Sequence, residues 1–197
     1  INEFLGLDCE LVISDLGLVA SEWQIELEND SKIVFEDHFF NNFQHDLEYL
    51  KLGNIPLQIE FVKNKFIPEE DIPVIYGNSK LSTENSKSIS CGIDIFASSF
   101  FMLVRWEEYV NKNRDSHDRF PSYESLALKC NFLDRPIVNE YVEMLKNMLL
   151  SLDNSLLFKK HQYQLILTHD VDSPLKYTNL ISGVKEIAGD ILKRKDI

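Results

Sequence analysis

Apolar and polar positions alternate along Glu22–Glu28, where Trp23, Ile25 and Leu27 interleave with Glu22, Gln24, Glu26 and Glu28. A period of two predicts a strand with one wet face, and it makes the Glu26/Glu28 pair a solvated surface rather than a site. Cys9–Ser14 and Lys32–Phe35 have strand composition too, and Asn29-Asp30-Ser31 predicts a hairpin turn before the latter. Pro56–Val62 and Pro73–Gly77 are further strands, each bounded by Pro or Gly and joined through the acidic turn Pro68-Glu69-Glu70-Asp71. Between these, Phe39, Phe40, Phe43, Leu47 and Leu50 recur at helical spacings, which predicts a helix over 35–52 that Gly53-Asn54 stops.

The Ser-, Asn- and Lys-rich stretch Asn78–Ser90 predicts a surface loop. After it comes the most apolar helical pattern, Asp94–Val110, with Asp94 as N-cap and Phe96, Phe100, Leu103, Val104 and Trp106 on a broad buried face. A short helix over Tyr123–Lys129 follows, then a longer one over Asp134–Leu152. The latter has Pro136 in its first turn and the stripe Ile137, Tyr141, Leu145, Met148 and Leu152. Together these elements predict an α/β domain over residues 1–152, a mixed sheet flanked by helices, with a linker at 153–161.

Beyond the linker the pattern changes. Tyr163–Leu167 is a five-residue apolar run of buried-strand character, and Thr168-His169-Asp170-Val171-Asp172 closes it. An amphipathic helix over Asn179–Lys195 comes next, weakened by Gly183 and Gly189 and ending basic. On an extended chain, residues two apart share a side, so Asp170 and Asp172 face one way and His169 and Val171 the other. One carboxylate holding a divalent ion while a second takes a proton from water is a chemistry such a pair can supply. Two aspartates before Ser173-Pro174 also suit a turn or a helix cap, and the spacing alone favours that commoner role.

Composition narrows the partners. The 197 residues, 44% hydrophobic and 11% aromatic, suffice for a core, and the net charge of −12 argues against nucleic acid or an anionic membrane surface. No run reaches the roughly eighteen apolar residues of a membrane span. Cys9, Cys91 and Cys130 lie far apart without metal-binding spacing, which slightly favours a reducing compartment and otherwise leaves the location open. A restriction-type nuclease would place Glu-x-Lys on a strand. Glu60-Phe61-Val62-Lys63 is longer by one and turns Lys63 to the other side. His38 and His45, seven apart, hint at a metal face but suit the rim of an amphipathic helix better.

The string Leu165-Ile166-Leu167-Thr168-His169-Asp170-Val171-Asp172-Ser173-Pro174 resembles the first motif of the polysaccharide deacetylases, the NodB-homology domains of carbohydrate esterase family four. The resemblance implies Asp170 as catalytic base and Asp172 as ligand of a divalent metal, zinc or a similar ion. It also implies a carbohydrate substrate and residues 162–197 as the first β/α unit of an incomplete (β/α) barrel. The spacing here is Asp-Val-Asp rather than adjacent aspartates, and the family's His-x-x-x-His is absent: histidines stand at 38, 45, 117, 161 and 169. The expectation is therefore the front part of a longer metal-dependent carbohydrate deacetylase, inactive alone and binding no metal. The alternative is a non-catalytic accessory or glycan-contacting module. An apolar strand at 163–167 without neighbours would also favour self-association.

The stretch from Gly92 through Val110, with Arg114–Pro121 and Phe132–Leu145, resembles a domain that precedes deacetylase barrels in bacterial proteins. Its charged loop, Arg114, Asp115, His117, Asp118 and Arg119, is a solvated, salt-bridged turn on the plain reading. The sharper expectation sets Arg114, His117, Asp118 and Arg119 on the rim of a sugar cleft.

Overall fold

Strands β1 (Glu22–Glu26) and β2 (Lys32–Glu36) form the expected antiparallel hairpin, with Trp23 opposite Phe35 and Ile25 opposite Ile33. Asp30 takes a left-handed conformation at φ 63°, and the Asn29 side chain accepts the Ser31 amide at 3.0 Å, turn chemistry that both residue types favour. The computed structural model describes residues 1–10, 22–43, 45, 47–84, 86–160, 162, 164–170, 179–189 and 192. Most of the expected Cys9–Ser14 strand and all of Asp172 thus lie outside the described residues.

β2 does not stop at a helix. Where the sequence predicts one over 35–52, the described residues make 3-10 turns at Phe40–Asn42 and Leu52–Asn54. Short polar side chains compete for the backbone groups a helix would use: Asp37 accepts the Phe39 amide at 3.1 Å, and Asn42 donates to the His38 carbonyl at 2.5 Å. The aromatic residues of the stretch still converge. Phe39 packs within 4.7–6.4 Å of the rings of Phe40, Phe43, Tyr49, Tyr76, Phe100 and Trp106.

β3 (Glu60–Asn64) and β4 (Ile67–Val74) form a separate antiparallel pair. The turn between them is Lys65-Phe66, pinned by the Asn64 side chain accepting the amides of Phe66 and Ile67, so the acidic residues expected in a turn belong to β4 instead. The expected loop at 78–90 is also corrected. It contains β5 (Gly77–Glu84) and the start of β6 (Ser88–Ile93). The four-stranded sheet has the order β1-β2-β6-β5, with β2 and β6 parallel and the other neighbours antiparallel, a mixed sheet. β5 is polar because it is an edge strand whose outward groups meet water.

Asp94 caps α2 (Ile95–Val104) as expected. The long helix predicted over 94–110 is broken at Arg105, which takes a left-handed conformation at φ 55° and starts α3 (Trp106–Val110) in a new direction. A 3-10 turn at Ser122–Glu124, α4 (Leu126–Lys129) and α5 (Ile137–Leu152) complete this part, with a single turn α1 (Asn2–Leu5) near the start. Ile33, Phe35, Ile89, Cys91 and Ile93 of the central strands are fully buried, as are Phe101 of α2 and Ile137, Tyr141, Met144 and Met148 of α5. α5 packs on β4, α2 and β2. Its Tyr141 hydroxyl donates to the Pro73 carbonyl at 2.6 Å, an apolar stripe carrying one satisfied polar group.

The chain divides into two compact units, Ile1–Lys159 and Lys160–Ile197. In the second, residues 164–170 are irregular and exposed, so the strand expected at 163–167 is not formed by its described residues. A strand needs a ladder partner for its amides and carbonyls. α6 (Leu180–Gly189) follows as the expected amphipathic helix, with Leu180, Ile181, Val184 and Ile187 exposed. No closed barrel is present among the described residues. No helix among them is long and apolar enough to cross a membrane.

Candidate functional site

In open α/β sheets ligands gather at the carboxyl ends of parallel strands. Here that edge is where β2 and β6 end, and it brings together four side chains up to 58 positions apart in sequence: Glu36, His38, Asn78 and Asp94. The His38 Nε2 lies 2.8 Å from Glu36 Oε2, and Asn78 Nδ2 donates to the same carboxylate oxygen at 2.8 Å while lying 3.2 Å from the His38 ring nitrogen. The hydrogen bond from His38 holds the Glu36 carboxyl below its ordinary range, against a smaller opposing effect of burial and with help from Asn78.

Beneath this corner Asp94 is 0% exposed. Its Oδ1 accepts the Ala97 amide at 2.9 Å and its Oδ2 accepts the His38 amide at 3.0 Å. Burial raises its pKa, opposed by those two amide bonds. The Asp94 amide in turn donates to the Tyr76 carbonyl at 3.0 Å, and Ser98 Oγ accepts the Tyr76 amide at 3.2 Å. Two glycines make the approach possible. A Cβ on Gly92 would overlap the Asn78 side chain, and one on Gly77, at φ 101°, would overlap Gly92 O and lie 2.6 Å from Asp94 N.

These groups hydrogen-bond to one another and to the first turn of α2. The corner is a brace that ties β2, β5, β6 and α2 together. Its sequence signal was partial: Asp94 is legible as a cap, whereas Glu36 and Asn78 carry no local pattern. His38 belongs to this brace rather than to a helix rim, and His45 is exposed elsewhere. Glu60 and Lys63 stand exposed on β3.

The charged loop expected at a cleft rim is built from its own bonds. The Arg114 guanidinium donates to the carbonyls of Glu108, Asn111 and Asn113 at 2.6–3.0 Å. Asp115 accepts the amides of His117 and Arg119 and pairs with the Arg119 guanidinium; the Arg119 amide first, and its guanidinium next, hold the Asp115 carboxyl below its usual range. Glu124 anchors the far side, accepting from Lys129, Asn113 and Asn111. Arg114 and Arg119 are thus committed to the loop's shape, while His117 and Asp118 are exposed at its turn, Asp118 with φ 59°.

Asp170 is exposed on irregular chain in the second unit. Among the described residues no three His, Cys, Asp or Glu side chains gather into a metal-holding group. An Asp-x-Asp by itself offers oxygen donors without the imidazoles that zinc favours.

No curated protein matches the chain, and no solved structure matches it. One family model does, over residues 1–154, which span the first compact unit almost to its end and stop before the Asp-Val-Asp stretch. The chain therefore belongs to the family of unknown function DUF7033.

Proposed function

We propose that residues 1–159 are an accessory domain set in front of a metal-dependent carbohydrate deacetylase domain. The first strand and first motif of that domain fall within residues 163–172, and residues 162–197 are the opening β/α unit of a (β/α) barrel. The observation that carries this reading is the exposure of Leu165, Ile166 and Leu167, 68%, 76% and 84%, directly ahead of Asp170. Three consecutive large apolar side chains of strand composition call for neighbouring strands on both edges and cover on both faces. The uncovered apolar residues of α6 call for the same, and the family match ends before either.

With the remaining ligands supplied by the rest of that domain, a divalent metal would polarise the acetyl carbonyl. This chain's part would be Asp172 as a ligand and Asp170 as the base that accepts a proton from the attacking water. The substrate class is an N- or O-acetylated glycan. The test is acetate release from acetylated oligosaccharides by the full-length protein with zinc, set beside Asp170→Asn and Asp172→Asn. Activity in the parent lost in both variants supports the reading; equal activity in all three, or none in the zinc-loaded parent, refutes it.

A second reading, a non-catalytic module that contacts glycan, is favoured by the loop at 111–121. Its internal bonds hold His117 and Asp118 outward on a fixed frame, an arrangement suited to binding with little ordering cost. Glycan binding by the chain that falls in His117→Ala and Asp118→Ala supports it, and binding unchanged in both removes it.

A further inference from the structure

We draw no further inference here: the strongest candidate, the exposed apolar patch of Phe61, Leu128 and Leu133 around buried Phe132 beside the β3–β4 pair, carries nothing because nothing in the structure shows what covers it.

Discussion

Replacing Asp94 by alanine removes two bonds at once, and the loss can be worked from the structure. The Ala97 amide loses its cap, an effect of about 1 kcal/mol within a range of about 0.5–2. The His38 amide loses its acceptor beneath a covered corner, which costs about 1–3 kcal/mol. The sum is about 3 kcal/mol, a large share of a typical folding free energy of about 5–15. With a urea slope of about 2 kcal/mol/M, the unfolding midpoint should fall by about 1.5 M. Tryptophan fluorescence reads this unit alone, since both tryptophans, Trp23 and Trp106, lie in it and Trp106 is 2% exposed.

Asp94→Asn adds a pH signature. In the folded chain the Asp94 carboxyl titrates above the usual 3.8 because it is buried. Between 3.8 and that raised value the native chain holds more protons at this position than the unfolded chain. This contribution to stability is therefore full below 3.8 and is lost as pH rises through the folded-state value. Subtracting the Asp94→Asn profile from the parent's should leave a difference that declines across that window. A flat difference, or an alanine variant whose midpoint moves by less than about 0.3 M, would show that the brace does not act as argued.

Gly77→Ala should destabilise more than Gly92→Ala in the same assay, because the first meets backbone at Gly92 and Asp94 while the second meets the movable Asn78 side chain; the reverse order would contradict the packing. Cys91, fully buried with its thiol pushed up to about 12 by desolvation, should resist a thiol reagent at pH 8 until the chain is unfolded, while exposed Cys9 reacts at once; equal rates would refute the burial. Tyr141→Phe should cost about 1–2 kcal/mol by leaving the Pro73 carbonyl without its donor, read as a lower urea midpoint. We also propose that the 197-residue chain on its own self-associates through the run at 163–167. Leu165→Lys with Leu167→Lys should then lower its light-scattering mass at high concentration, and an unchanged mass would set that contact aside.

What the amino-acid sequence determined by itself is whatever one segment's own neighbours settle. Alternation at Trp23, Ile25 and their polar partners marks β1, and Asn29-Asp30-Ser31 marks its turn. Asp94 before an apolar run marks a cap, and the stripe from Ile137 to Met148 marks α5, because a period in the sequence repeats the geometry that buries one face. The Asp-Val-Asp motif is likewise local, and its proposed chemistry rests on the resemblance that the motif carries. Tertiary structure decided the rest. β5 has no apolar period, and only its ladder with β6 makes it a strand. The chain after β2 carries helical spacing, yet Phe39 reaches the aromatic core without a helix because Asp94, 56 residues away, takes the His38 amide. The brace of Glu36, His38, Asn78 and Asp94 exists only once the parallel ends of β2 and β6 lie side by side. Hydrogen bonds between residues so distant leave no period in the chain, since their partners are chosen by the packing of the sheet and not by the spacing of the residues.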